Sequence, residues 1–327
     1  MEREGLFVGL RIMTVSTTPR TKAKPFLKWA GGKTQLLPAI DSFLPKAFKA
    51  ENDITYIEPF VGGGAMLFYM LQTYPNIRRA VINDINPHLI KTYTVIRNEP
   101  HRLIEALREL QASFQALSDY AKRKELYLGI RARFNQDGLT DVEEAAYMIF
   151  LNRTCFNGLY RENSKGGFNV PFGRYANPKI CDENLIMADS ELLQKVEMLN
   201  GDFSRTAAHA RGYTLFYLDP PYRPLDATSS FNSYVKEAFD DNEQIRLRNF
   251  YADLSGRGIH AMLSNSDCRG RNAEDDFFDR LYEDFFIERV YAKRCINSNG
   301  AKRGTLTELL IRNYEHFQGD SMSLFNL

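Results

Sequence analysis

The sequence predicts an α/β fold: a Rossmann-like, doubly wound, mostly parallel sheet with an antiparallel C-terminal hairpin, plus an inserted, mainly helical module carrying a β-hairpin. Three observations predict it. Short apolar runs alternate with helical patterns over residues 55–98. The rhythm then gives way to a charged, helix-patterned stretch and a Gly-rich polar one. Apolar runs return from residue 213 onward.

Residues 55–60, TYIEPF, form a short extended run that leads into Gly62, Gly63 and Gly64, and residues 65–74, AMLFYMLQTY, read as a helix. RAVIND (79–84) reads as a second strand and NPHLIKTYTVIRN (86–98) as a second helix, the βαβ rhythm of a parallel sheet. From 101 to 155 the pattern is helical, and 157–175 is polar and Gly-rich. Strand signals resume at 213–219, 259–265, 286–294 and 308–314. The last two flank Asn297, Ser298, Asn299 and Gly300 and look like a hairpin, which gives the sheet an antiparallel edge. The expected organisation is an α/β domain split into 24–95 and 186–327 around a module at 96–185. Residues 1–23 read as a disordered tail, part of it upstream of a translation start at Met13.

Composition narrows the function classes. The 327 residues are 44% hydrophobic and 25% charged, ordinary for a globular protein. Net charge is +1, so contact with nucleic acid requires a local basic surface. Residues 151–180 supply one, with Arg153, Arg161, Lys165, Arg174 and Lys179 opposed there by Glu162 alone. A solvated loop has the same composition, so charge does not choose between the two. The four cysteines show no CxxC spacing and the five histidines no HxxxH pattern, so no metal site is expected. Both facts suit a reduced cytoplasm. No apolar run approaches the roughly 20 residues of a membrane span, so no membrane partner is expected either.

Three motifs carry chemistry. In Phe60-Val61-Gly62-Gly63-Gly64, a strand meets glycines and then a helix, so the backbone can approach a ligand closely. Asp84 follows Gly64 by 20 positions at the end of the next strand, where a carboxylate can accept both hydroxyls of a ribose. A tight structural turn explains the same glycines, and Leu67 stands where GxGxxG needs its last glycine.

The second motif is Lys28-Trp29-Ala30-Gly31-Gly32-Lys33-Thr34. Its GKT ending invites a phosphate-loop reading, but Leu27 occupies the position that needs glycine. A Gly-Gly turn flanked by lysines could instead grip a small carboxylate, or be a plain surface turn.

The third motif, Asp219-Pro220-Pro221-Tyr222, follows the apolar run LFYL and is the most specific. The exocyclic nitrogen of adenine is a poor nucleophile because its lone pair is delocalised into the ring. Hydrogen bonds from its amino protons to a carboxylate and a backbone carbonyl localise that pair. Asp219 offers the carboxylate, and Pro220 a carbonyl with no competing N–H. Tyr222 can stack on an extruded base, at roughly 1–3 kcal/mol. A rigid Pro-Pro turn after a buried strand is the bland alternative. Residues 224–239, rich in Ser, Thr and Asn, suit a mobile flap or a plain surface loop.

In this order the motifs resemble the Dam-type, DpnII-like N6-adenine DNA methyltransferases, the D12 class in its alpha arrangement. FLKWAGGK, EPFVGGGA, INDIN, LNRTCFNGLYREN, FNVPFGRY, YLDPPYRPL and LSNS all look like that family's blocks. The resemblance spans about Pro25 to Tyr314. It implies S-adenosylmethionine as cofactor and double-stranded DNA as partner, with GATC the favoured target. A restriction endonuclease acting on the same site is a further implied counterpart. By this resemblance Trp29, Ala30, Gly31 and Lys33 hold the cofactor's methionine part beside Glu58, Pro59 and Phe60. Gly62 and Gly64 shape the turn, Asp84 takes the ribose, and Asp202 and Phe203 flank the adenine ring. Asp219, Pro220, Pro221 and Tyr222 are the catalytic set.

The resemblance also implies that Lys28, Leu159, Arg161, Pro171, Arg174 and Tyr175 touch bases, with Arg161 reading a guanine. It implies that Arg153 lies near a phosphate and that Phe156 and Asn157 enter the stack. Burial beneath the hairpin is the competing account of Phe156 and Leu159. An RNA or protein-glutamine N-methyltransferase of the same fold is the rival reading. Such enzymes more often carry Asn at the position of Asp219 and lack the Arg161/Arg174 block.

Overall fold

The computed structural model describes residues 21–29, 31, 33, 35–223, 239–270, 272–292 and 306–315. The tail through residue 20, Ala30, all of the expected flap at 224–239 except its last residue, Phe239, and the turn at Asn297–Gly300 lie outside the described residues. Ala23 is already buried, 6% exposed, and its carbonyl accepts a hydrogen bond from Gln72 Nε2.

A short helix, α1 (Leu37–Ser42), precedes the sheet. The first strand, β1 (Ile54–Glu58), is buried at every position, as befits a central parallel strand covered on both faces. Next come α2 (Ala65–Thr73), β2 (Ile77–Asp84) and α3 (Pro87–Asn98). Helix α3 starts where Asn86 accepts the Leu89 N–H at 3.0 Å, with Pro87 at a position whose N–H would be unpaired anyway. The inserted stretch folds as α4 (Pro100–Ala116), α5 (Tyr120–Phe134) and α6 (Asp141–Thr154). Asp119 caps α5, and Thr140 with Glu143 forms a reciprocal capping box at α6.

After α7 (Glu183–Leu193) the chain returns to the sheet as β3 (Val196–Asn200) and β4 (Tyr213–Leu218). It ends with α8 (Asp241–Gly256), β5 (His260–Ser266), α9 (Phe277–Leu281), β6 (Phe286–Ala292) and β7 (Leu306–Arg312). Among the described residues these strands form a seven-stranded sheet in the order β3-β2-β1-β4-β5-β7-β6. The first five are parallel, and β7 runs antiparallel between β5 and β6. The expected Rossmann-like sheet with an antiparallel hairpin is therefore present.

Strand β3 was absent from the sequence expectation. Its five residues, VEMLN, sit at the sheet edge with one fully buried position, so they show neither a long apolar run nor clean alternation. The inserted helices all lie within the β2-to-β3 crossover. They share one hydrophobic core with the sheet, running from Ile54 and Tyr56 through Leu107, Phe114 and Phe150. Alternate residues of β4 divide between the faces. Leu215 and Tyr217 join that core, while Phe216 and Leu218 join a second one against α8 with Leu247, Tyr251 and Leu254. Each fully buried Leu or Phe contributes roughly 1.5–3 kcal/mol, so both faces clamp the strands and fix where they end.

Candidate active site

In open α/β sheets, ligands bind outside the carboxyl ends of the parallel strands. Here that edge carries Glu58 at the end of β1, Asp84 at the end of β2, Asp219 just after β4, and Ser264 and Ser266 among the last three residues of β5.

Leaving β1, the backbone takes positive φ at Gly62 (49°) and Gly64 (74°), a region that favours glycine. Close packing reinforces the choice. A Cβ on Gly62 would lie 2.9 Å from Trp29 Cδ1, one on Gly63 2.9 Å from Trp29 Cβ, and one on Gly64 2.4 Å from the Tyr93 hydroxyl. Gly62 N–H donates to Asp84 Oδ2 at 3.0 Å, and the Tyr93 hydroxyl donates to the Gly62 carbonyl at 3.0 Å. Asp84 Oδ1 accepts the Asn86 N–H at 3.0 Å. Burial raises the Asp84 pKa while these backbone donors hold it down. Asn83 Nδ2 ties the β1 exit to the loop after β3 by donating to the carbonyls of Pro59 (3.0 Å) and Gly201 (2.9 Å).

Asp219 Oδ1 receives Lys33 Nζ at 2.9 Å and Ser264 Oγ at 3.1 Å. Its side chain is 21% exposed. Burial lifts its pKa, and the Lys33 ammonium offsets part of the rise. Lys33 is itself 5% exposed. Its Nζ stands 4.3 Å over the Tyr222 ring centroid, donates to the Gly31 carbonyl at 3.1 Å, and faces Glu308 Oε2 at 3.8 Å. The Tyr222 hydroxyl donates to Glu308 Oε2 at 2.6 Å. Gln244 Nε2 donates to the Pro221 carbonyl at 3.1 Å and is oriented by Asn265, which holds the Asp219–Tyr222 turn against α8. Pro220 is buried.

Beneath this turn Glu58 is 2% exposed and accepts the Tyr56 hydroxyl at 2.6 Å. Burial pushes its pKa up to about 8 from 4.5. The folded state therefore holds the proton more tightly than the unfolded chain does. That stabilisation is fully present below about pH 4.5 and is lost as pH rises towards about 8. Glu58→Gln stays neutral at every pH and keeps an acceptor for Tyr56. It is expected to melt above the wild type beyond pH 8 and to show a shallower decline in Tm between pH 4.5 and 8. Asp189, also raised to about 8 by burial, retains part of the slope. Parallel Tm–pH curves from calorimetry would contradict the assignment of Glu58.

The expected cofactor residues gather along the same edge, apart from Ala30, which lies outside the described residues. Asp202 accepts a bidentate pair from Arg246 at 3.0 and 2.7 Å, which holds its carboxyl down at about 2. Phe203 is mostly buried, 4% exposed. Its ring packs against Phe60 at 5.2 Å and Phe250 at 5.4 Å, with the Arg246 guanidinium 4.1 Å above it. Phe60 is the more open of the two rings. Trp29 lies between Gly62–Gly63 and Tyr160, whose ring it stacks on at 5.4 Å.

The expected DNA residues form a second group, mostly on the segment after α6, with Arg153 in the last turn of that helix and Lys28 ahead of α1. Cys155 pairs with Phe172 and Glu162 with Phe168 as isolated antiparallel bridges, and Asn163 N–H donates to the Gly167 carbonyl at the tip. Phe156 is 52% and Leu159 43% exposed, so neither is buried beneath the hairpin. Asn157, at φ 56°, is the one non-glycine residue with positive φ among those described. Arg161 points outward, steadied by Asn169, whose Oδ1 accepts from Nε at 2.7 Å. Pro171 and Arg174 are exposed, the latter 5.8 Å from the Tyr120 ring. Lys28 lies 4.7 Å over the Tyr175 ring. With Arg153 and Lys179 these two residues line a cleft of about 330 Å³. One Arg153 N–H is committed to the Phe26 carbonyl at 2.6 Å.

Sequence reasoning missed Glu308, Ser264, Gln244 and Arg246, which orient the expected residues from β7, β5 and α8. Ser264 lies within the LSNS block, but nothing local in the sequence marks any of the four for these contacts.

Comparison with known proteins shows the family. The family model described as D12 class N6 adenine-specific DNA methyltransferase matches residues 29–296. A relative named Type II methyltransferase M.MjaIII, of Methanocaldococcus jannaschii, is 51% identical over 296 residues, covering 90% of this chain and 100% of its own. Type II methyltransferase M1.LlaDCHI of Lactococcus lactis subsp. cremoris is 39% identical, covering 89% of this chain and 95% of its own. DNA adenine methylase of Escherichia coli K12 is 33% identical, covering 88% and 95%. The chain belongs to the D12 class of N6 adenine-specific DNA methyltransferases.

Proposed function

We propose that this chain transfers a methyl group from S-adenosylmethionine to N6 of an adenine turned out of duplex DNA, at GATC. One observation carries the reading. Asp219 and the Tyr222 ring stand together at the sheet edge, and a single ammonium, that of Lys33, touches both. An N–H donor lying over an aromatic face and bonded to a carboxylate is the arrangement that an everted adenine's amino group needs.

The residues present fit the cofactor. The Gly62–Gly64 turn brings its backbone against Trp29 and bonds the Asp84 carboxylate through Gly62 N–H, so an acceptor for hydroxyls stands beside a bare backbone turn, and Lys33, which already pairs with a carboxylate, can meet another. Trp29 and Gly31 would hold the methionine end with Lys33, and Phe60 and Phe203 would border the adenine ring. When bound, the cofactor supplies an electrophilic methyl.

This chain's residues do the rest. Asp219 accepts a hydrogen bond from one amino N–H of the target base and the Pro220 carbonyl accepts one from the other, which localises the nitrogen lone pair. Tyr222 stacks on the base for roughly 1–3 kcal/mol, offsetting part of the cost of unstacking it. The raised pKa of Asp219 suits it to take the proton that the methylated nitrogen sheds. Catalysis is positioning plus electrostatics, with no covalent enzyme intermediate. The DNA-adenine names of the relatives support this substrate over RNA or a protein glutamine. Two of them carry type II names, which supports pairing with an endonuclease of the same specificity.

Labelled cofactor and duplexes containing GATC or its single-base variants test the proposal. Label should enter N6-methyladenine in GATC duplexes and fall sharply in the variants. Equal labelling of all duplexes, or of another base, overturns it. Arg161→Ala should lose discrimination at one base pair by about tenfold to a hundredfold, as befits one bidentate guanine contact. Uniformly weaker binding to all sequences would make Arg161 a phosphate clamp instead.

A further inference from the structure

The antiparallel strand β7 enters the sheet at the edge where the parallel strands end. Its third residue, Glu308, therefore lies between Ser266 of β5 and Val290 of β6, at the mouth of the site. Side chains alternate across a strand. Glu308 thus shares a face with Leu310, in the core of Tyr217 and Met262, while Leu309 and Ile311 serve the opposite face. From there Glu308 Oε2 accepts the Tyr222 hydroxyl at 2.6 Å and lies 3.8 Å from Lys33 Nζ.

We propose that Glu308 is a positioning residue for methyl transfer: it fixes the Tyr222 ring as the platform for the target adenine. A tyrosine in a Pro-rich turn can rotate about χ1 and χ2, and stacking needs a single ring plane. A charge-assisted hydrogen bond to a carboxylate on a rigid strand selects that plane before DNA arrives. The proposal rests on the reading of Tyr222 as the stacking residue.

The test compares Glu308→Ala, Glu308→Gln and Tyr222→Phe, alone and as the Glu308→Ala/Tyr222→Phe pair, with Tyr222→Ala as a control on that reading. The readouts are kcat, KM for DNA, cofactor affinity, and the fluorescence of 2-aminopurine placed at the target adenine. Glu308→Ala should lower kcat and the flipped-base signal by about tenfold, the scale of one lost charge-assisted hydrogen bond. Cofactor affinity should stay within about twofold, since the contact is to the base platform. Glu308→Gln keeps an acceptor and should recover most of the activity. The pair should be no worse than either single variant, because both remove the same bond. Multiplying losses, or a loss confined to cofactor affinity, overturns the role of Glu308. If Tyr222→Ala loses activity and base signal while Glu308→Ala keeps both, Glu308 alone is refuted. If Tyr222→Ala keeps both, the stacking reading falls as well.

Discussion

Asp219→Ala is expected to lower kcat by about a thousandfold, close to 4 kcal/mol of barrier, while cofactor affinity remains measurable. The size follows from the geometry. Asp219 sits just after β4 with Ser264 and Lys33 both donating to Oδ1, so in the proposed reaction it is a preorganised acceptor for the target amino group. Such groups gain most where burial weakens solvent screening. Removing the carboxylate also leaves the Lys33 ammonium, 5% exposed, without its nearest counter-charge, so Lys33 should turn towards Glu308. Equilibrium titration with cofactor and single-turnover methylation separate the two effects. If the variant turns over within about tenfold of wild type, Asp219 is no part of the chemistry.

Gly64→Val should be nearly as damaging, through the backbone rather than the chemistry. At φ 74° a β-branched residue costs roughly 1–2 kcal/mol or more in left-handed strain. Its Cβ would also fall 2.4 Å from the Tyr93 hydroxyl, which is pinned by its bond to the Gly62 carbonyl. Overpacking of that kind adds roughly 1–3 kcal/mol. Relief requires the turn to move, and Asp84 is tied to the same turn through Gly62 N–H. Melting should drop by several degrees, and cofactor affinity should fall with it. An unchanged melting curve with full affinity would mean that the turn is more pliant than its packing indicates.

Much of this architecture was legible in the sequence because it rests on local patterns. The run TYIEPF before three glycines and the acidic end of RAVIND mark β1, β2 and the turn between them through burial and backbone chemistry alone. The Asp219–Tyr222 turn was legible for the same reason, since Pro220 and Pro221 restrict φ whatever surrounds them. Strand β3 was not, because an edge strand exposes half its surface and carries a weak apolar signal. Glu308 was also beyond reach, for its importance comes from a strand pairing 42 residues later than Ser266 in the chain. Likewise, Arg246 meets Asp202 only because α8 packs on the second core. Phe156 and Leu159 show the reverse case. Their apolar character suits burial, yet the hairpin holds both in solvent, beside Asn157 at positive φ.

Sequencing the modified bases in DNA from cells that express either the wild-type chain or Asp219→Ala tests the central claim most directly. N6-methyladenine should appear at GATC with the wild type and be absent with the variant. A mark on another base, or adenine marks that persist without the Asp219 carboxylate, would contradict the account.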